Sequence, residues 1–303
     1  MSSSCSGQCS SACAGSCEAK YPEPLKRIKH KILVLSGKGG VGKSTVAASL
    51  AVTLAKEGKK VGLLDLDFHG PSQPTLFHLQ EIRLGGTEKG IAPAVSQGVK
   101  IVSLGLLLED SDAAVIWRGP AKIGVLNQLF EEIDWGDEDL DYLVLDFPPG
   151  TGDEALSACQ LIPGEKQAVI VTTPQELSLA DCRKCIGFCD QVHIPVGGII
   201  ENMSGFICPS CSAKHNLFSS GGGQKLSDKY GIPLIAQVPM DPRFLQKCDE
   251  GDLSGALEQS PAVAEELVKA AKALSERAEK ESLTKSAQRE GERESLCARP
   301  SVS

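Results

Sequence analysis

The chain has 303 residues, 41% of them hydrophobic but only 4% aromatic, and a formal net charge of −8. That size admits one large α/β domain or two small ones, and the aliphatic bias suits a Val/Ile/Leu-rich parallel sheet. No block of Lys/Arg is present, which argues against nucleic acid or an anionic membrane as partner. The N-terminus has no basic segment leading into an apolar one, and no apolar run reaches about 18 residues, so neither a secretory signal nor a spanning helix is expected. The protein is therefore read as cytoplasmic, where its 12 cysteines need an explanation other than disulfides.

In chain order, the first cysteines are Cys5, Cys9, Cys13 and Cys17 in CSGQCSSACAGSC. Ser, Gly and Ala between thiols fit either a floppy tail or a metal-binding arm. Residues 1–24 lack apolar periodicity and end at YPEPL, so this arm is placed outside the fold. Beyond it the expected elements are strand KILVLSG, helix STVAASLAVTLAKEG, strands VGLLDLD and VKIVSLGLL, helix KIGVLNQLFEEI and strands DYLVLDFPPG and QAVIVTTP. Next come a helix around SLADCRKCIGFCDQV, strands VGGIIENMS and PLIAQVP, and a final helix PAVAEELVKAAKALSERAEK. Short apolar runs alternating with helical patterns specify an α/β fold, a mostly parallel sheet with helices on both faces. The working domain is set at residues 25–280, and the polar segment 281–303 is expected to be disordered.

After the first strand comes GKGGVGKST: Gly37, Lys38, Gly39, Gly40, Val41, Gly42, Lys43, Ser44 and Thr45. This is the G-x-x-x-x-G-K-[ST] phosphate loop in its strand–loop–helix setting, where backbone N–H groups and a helix N-terminus receive phosphate. Lys43 is expected to reach the β/γ-phosphates and Ser44 to ligate Mg²⁺. VGLLDLDFHGPS places Asp65 and Asp67 at a strand end, and LVLDFPPGTGD places Asp146 at another, followed by Asp153. Asp146 is assigned the Mg²⁺-holding role of the second acidic motif. For Asp65 and Asp153, turn capping or a salt bridge competes evenly with function.

Other cysteines divide by context. Cys208 and Cys211 form C-P-S-C on a loop, and two thiolates chelate one face of a metal while a tetrathiolate site needs four. A redox pair and a zinc knuckle with His215 are the competing readings. Cys182, Cys185 and Cys189 fall at i, i+3 and i+7 of a helical pattern and are read, like Cys159, as core residues. Cys248 and Cys297 are isolated and receive no function.

The loop KGGVGKST, with its extra Lys38, resembles the deviant Walker A of the P-loop ATPases that include MinD, ParA, the nitrogenase iron protein and the Mrp/Nbp (ApbC-type) iron–sulfur carriers. Four further segments resemble the Mrp/Nbp carriers in their order: D-x-D-x-x-G-P-S (Asp65 to Ser72), WRGP (Trp117 to Pro120), D-x-P-P-G-T-G-D (Asp146 to Asp153), and ENMS with C-P-x-C (Glu201 to Cys211). The resemblance implies a nitrogenase iron protein/MinD-like P-loop NTPase fold and a nucleotide-sandwich homodimer in which Lys38 crosses to the partner's nucleotide. It also implies that Asp67 positions the attacking water beside Mg²⁺, and that Asn202, near Pro239 to Asp241, contacts the adenine of ATP. Two-fold symmetry would join the Cys208/Cys211 pairs around one bridging [4Fe–4S] cluster.

The activity so implied is a slow ATPase that assembles the cluster and passes it to apo iron–sulfur client proteins. A MinD/ParA-like spatial organiser and an ATP-driven iron–sulfur electron-transfer protein are the alternatives, and neither accounts for C-P-S-C. The Nbp branch carries an N-terminal four-cysteine cluster motif, which points to metal at Cys5, Cys9, Cys13 and Cys17. Here all three gaps are equal, unlike that branch, so iron–sulfur and zinc both stay open for the arm.

Overall fold

A computed structural model describes residues 21–68, 70–107, 119–217 and 221–297, except for the side chains of 119–121 and 285–297. The elements in order are α1 (Glu23–Lys26), β1 (Ile28–Ser36), α2 (Lys43–Lys56), β2 (Val61–Asp65), α3 (Gln73–Leu76), β3 (Gly86–Thr87), β4 (Gly90–Ile91), β5 (Ala94–Ser96), β6 (Val99–Ser103), α4 (Gly119–Glu132) and β7 (Leu140–Asp146). They continue with α5 (Asp153–Leu161), β8 (Lys166–Thr172), α6 (Glu176–Gln191), β9 (Val196–Ile207), β10 (Lys214–His215), α7 (Gly222–Tyr230), β11 (Leu234–Met240), α8 (Pro242–Asp249), α9 (Leu253–Gln259) and α10 (Pro261–Cys297).

The central strands are apolar in consecutive positions because both faces of the sheet are covered. In β1, Ile32 and Val34 enter one core while Leu33 and Leu35 enter the other, each at most 1% exposed. Burying each such side chain contributes about 1.5–3 kcal/mol, so truncating Leu33 to Ala is expected to cost roughly 2–5 kcal/mol. One core packs β1 and β2 against α2, α8, α9 and α10; the other packs the opposite face against α4, α5 and α6. The sheet order is β10-β9-β8-β1-β7-β2-β6-β5, with β11 also paired to β9. The pairs β1–β7, β1–β8, β2–β6, β2–β7, β8–β9 and β9–β11 are parallel, while β5 and β10 run antiparallel.

This order positions the site. The chain leaves β1 for β2, beyond β7, and later crosses back to β8 on the other side of β1, so the winding reverses at β1. In register, Asp65 of β2 lies beside Asp146 of β7, and Val34 of β1 beside the same Asp146. The glycine loop and both acidic strand ends therefore meet at one edge.

Two boundaries differ from expectation. Among the described residues the first element, α1, begins at Glu23, two residues before 25, and Leu25 within it is fully buried in the core. The segment from 281 is not irregular throughout, since α10 runs on to Cys297. Its sequence has no Pro before that point and is rich in Glu, Lys, Arg, Ser and Gln, and pairs such as Arg277–Glu281 at i,i+4 favour continuing the helix.

Candidate functional site

Gly37 to Gly42 join β1 to the first turn of α2. Gly40 and Gly42 have φ of +76° and +78°, a conformation that side chains disfavour. Gly37 is fixed by proximity instead, as a Cβ there would lie 2.3 Å from the backbone of Asp181 on α6. Lys38 is half-buried, and its carbonyl accepts a hydrogen bond from Ser36 Oγ at 3.0 Å.

The charged centre lies under this loop. Lys43 Nζ donates to Asp146 Oδ1, with both side chains buried. Gln73 Nε2 donates to Asp146 Oδ2 at 2.8 Å and to the Ser44 carbonyl at 3.1 Å. Asp65, fully buried, accepts from Ser103 Oγ at 3.0 Å, Asp67 N at 3.1 Å and Gln73 N at 3.4 Å. Burial, and then the neighbouring Asp146 carboxylate, push the Asp65 carboxyl up to about 7. The Lys43 ammonium thus offsets the Asp146 carboxylate, and Asp65 adds its charge only as pH rises past about 7.

Above it opens a cleft of about 570 Å³, lined by the glycine loop, Asp67, Ser72 and Pro149 among others. That size falls within the roughly 300–1,000 Å³ usual for small-molecule sites. Asp67 lies at its wall, half-buried, accepting from Gly70 N at 3.2 Å. Asp153 is exposed at the start of α5.

Asn202 on β9 reaches the loop from the far side: its Nδ2 donates to the Val41 carbonyl at 2.9 Å, and a Cβ on Gly42 would sit 2.2 Å from that nitrogen. The β9–β11 register sets Val238 beside Asn202, so Pro239, which is buried, follows next to it.

β9 continues to Ile207 and turns into the cysteine loop. Cys208 N donates to the Ala213 carbonyl at 3.0 Å and Ser212 N to the Cys208 carbonyl at 2.8 Å, closing a tight turn before β10 returns antiparallel. Cys208 is half-buried and Cys211 exposed. Backbone N–H groups of Cys211 and Ser210 turn toward Cys208 and hold its thiol below the ordinary range, toward thiolate. Among the described residues no three or more His, Cys, Asp or Glu side chains converge on one metal position, so His215 does not complete a site with the pair.

Cys159, Cys182, Cys185 and Cys189 are core residues, as their helical spacing suggests. Cys182, Cys185 and Cys189 are buried on α6 beside Cys159 of α5, and burial drives the Cys159 thiol up to about 12. Cys5, Cys9, Cys13 and Cys17, with Trp117 and Arg118, lie outside the described residues.

Sequence reasoning missed two buried polar residues. Gln73 bridges the acidic strand ends to the loop. Glu201, fully buried beside Asn202, accepts from Ser204 Oγ at 2.7 Å, Gly223 N at 2.5 Å and Gln237 Nε2 at 3.0 Å, tying β9 to α7 and β11. Both stand inside or next to quoted motifs, GPS and ENMS, and that adjacency was the available signal.

Comparison with known proteins agrees with this geometry. A ParA family model, described as NUBPL iron-transfer P-loop NTPase, matches residues 27–275. The chain is 48% identical over 232 residues to the cytosolic Fe-S cluster assembly factor CFD1 of Kluyveromyces lactis, covering 74% of this chain and 81% of that one. It is 46% identical over 235 residues to an iron-sulfur cluster carrier protein of Methanocaldococcus jannaschii, covering 77% and 80%. Among solved structures, a nucleotide-binding protein of Archaeoglobus fulgidus in complex with ADP is 42% identical, with TM-score 0.67 and coverage of 76% and 90%. The cell division ATPase MinD of Pyrococcus furiosus, at 22% identity, TM-score 0.58 and coverage of 82% and 99%, shares the fold.

Proposed function

The chain belongs to the NUBPL-type iron-transfer P-loop NTPases of the ParA group, and from that premise we propose that it is an ATP-hydrolysing carrier that takes up an iron–sulfur cluster as cargo and delivers it to apo-proteins. Its main support is the Cys208–Cys211 turn, where one exposed and one half-buried thiol, the latter held toward thiolate, stand at the end of the strand that carries Asn202 to the glycine loop. Two thiolates make half of a [4Fe–4S] site, so a second copy of the chain, related by a two-fold axis, supplies the other half. A cargo shared between chains and reachable from solvent is easier to release than one enclosed in a single core. The names of the relatives, a cytosolic assembly factor and a cluster carrier, support the same reading and a cytosolic setting.

Nucleotide binding makes Lys43 exchange Asp146 for phosphate, while Lys38 reaches the nucleotide of the second copy. Ser44, Asp146 and Asp67 offer hard oxygen donors, a set that fits Mg²⁺ once phosphate draws Lys43 from Asp146, and these residues would hold it. When bound, Mg²⁺ neutralises phosphate charge. Asp67 orients the attacking water, Asn202 and Pro239 border the base, and turnover is slow. The arm bearing Cys5, Cys9, Cys13 and Cys17 is assigned a second metal, an iron–sulfur cluster or zinc, ahead of the 25–280 ATPase unit.

Anaerobic reconstitution with iron and sulfide, followed by incubation with an apo-enzyme, tests this. Wild type should gain a cluster and activate the client, and Cys208→Ala/Cys211→Ala should lose both. A wild-type protein that takes up no iron and sulfide refutes the carrier function. A Lys43→Ala variant that loads and delivers normally removes ATP from it.

A further inference from the structure

Gln73 opens α3, just after the loop that carries Asp67, and its side chain is fully buried beneath the nucleotide cleft. Its amide nitrogen serves two acceptors on two different elements, Asp146 Oδ2 at 2.8 Å and the Ser44 carbonyl at 3.1 Å. Its backbone N–H turns to a third acceptor, Asp65 Oδ2, at 3.4 Å. One residue therefore touches the glycine loop and both acidic strand ends.

The other half of the amide is the informative part. Oε1 is buried and has no hydrogen-bond partner among the described residues. A buried orphan acceptor costs stability, and an aliphatic side chain of the same size would avoid that cost. Turning the amide over gives no relief, because Oε1 would then face the Asp146 carboxylate and the Ser44 carbonyl, both acceptors. Packing alone does not explain a glutamine here; the donor does.

What the donor achieves follows from the two oxygens of Asp146. Lys43 holds Oδ1 and Gln73 holds Oδ2. Lys43 is the side chain that phosphate draws away, whereas Gln73, pinned by Ser44 and Asp65, stays. We propose that Gln73 is a positioning residue for the magnesium–nucleotide site: it retains Oδ2 of Asp146, fixes the carboxylate plane, and leaves Oδ1 as the oxygen presented to Mg²⁺. The same contacts tie α3, and with it the Asp67 loop, to the glycine loop. This rests on the nucleotide site of the proposed function and concerns how its metal is held.

Groups that orient a metal-holding carboxylate typically change metal affinity by about 10–100-fold when removed. Gln73→Met keeps the length of the side chain and deletes the donor, and Gln73→Leu serves as a second variant. The measurements are Mn²⁺ titration of the ADP complex by electron paramagnetic resonance, ADP affinity in EDTA, and thermal unfolding. The expected result is Mn²⁺ affinity about tenfold or more weaker, with unchanged ADP affinity in EDTA and a somewhat lower melting temperature, because Asp146 Oδ2 and the Ser44 carbonyl lose their donor. Wild-type Mn²⁺ affinity in both variants overturns the assignment. So does an equal loss of ADP affinity with and without metal, which marks a purely structural role. A wild-type protein without any divalent-dependent ADP binding defeats the nucleotide-site reading itself, and the wild-type arm alone reveals that.

Discussion

Replacing Gly42 by Ala tests the contact between β9 and the glycine loop. Gly42 sits at φ +78°, and an added Cβ would lie 2.2 Å from Asn202 Nδ2. A left-handed residue with a Cβ costs about 1–2 kcal/mol. The 2.2 Å approach cannot persist, but it involves the far end of a side chain, so Asn202 swings away and gives up its 2.9 Å bond to the Val41 carbonyl. That bond is worth about 1 kcal/mol. The sum, roughly 2–3 kcal/mol, corresponds to a melting temperature lower by roughly 4–12 °C. Thermal unfolding of Gly42→Ala, Asn202→Ala and the double variant separates the two parts. In the Asn202→Ala background, Gly42→Ala should cost the backbone strain alone, giving a coupling of about 1 kcal/mol between the sites. Strictly additive losses would refute the placement of Asn202 against the loop.

Three further outcomes follow from the same geometry. An unfolded aspartate titrates near about 3.9, whereas folded Asp65 is raised to about 7, so between these values the native state holds a proton that the unfolded state lacks and stability falls as pH rises. Denaturant unfolding of the nucleotide-free protein across this window should show that fall flattened in Asp65→Asn, and parallel curves for the two proteins would count against the buried pair. Iodoacetamide at pH 7 should label Cys208 and Cys211 in the native protein and spare Cys159, Cys182, Cys185, Cys189 and Cys248 until denaturant is added, as read by peptide mass spectrometry; native labelling of the α6 thiols would contradict their burial. Glu201→Ala leaves two buried donors and one half-buried donor without their acceptor and should cost roughly 2–5 kcal/mol in denaturant unfolding. A loss below about 1 kcal/mol would show those bonds to be replaceable.

What the sequence discloses depends on whether a residue's environment is set locally. β1, β2 and β7 are legible because burial on both faces demands aliphatic residues in succession, and the cysteines at 182, 185 and 189 because helical spacing puts them on one face. The glycine loop is legible because positive φ at Gly40 and Gly42 and close approach at Gly37 and Gly42 restrict those positions to glycine. Gln73 is not legible, since a glutamine between Ser and Pro has the composition of a solvated turn. Only the folding of α3 beneath Ser44 and Asp146 buries it. Glu201 is hidden for the same reason, its three donors coming from β9, α7 and β11. The continuation of α10 to Cys297 escapes a hydrophobicity-based reading, because propensity and charge pairing sustain that helix where apolar periodicity has ended.

The two ends of the proposed function are joined by one strand, Asn202 within β9 and Cys208 directly after it. Asn202 and Cys208 are separated by six positions of sequence, and Glu201, immediately before Asn202, is held from three directions. Between them the backbone departs from a plain strand: Met203 takes φ +57° and Gly205 φ +89°, and the pairing with β11 shifts register between Val238 and Met240. A left-handed non-glycine residue costs about 1–2 kcal/mol and persists only where the surroundings enforce it. The anchor at Glu201 and the return strand β10, with Lys214 packed over Gly205, do so here. In the proposed function, a nucleotide that displaces Asn202 would act on a segment whose nearer end is fixed by buried hydrogen bonds and whose farther end is the cysteine turn.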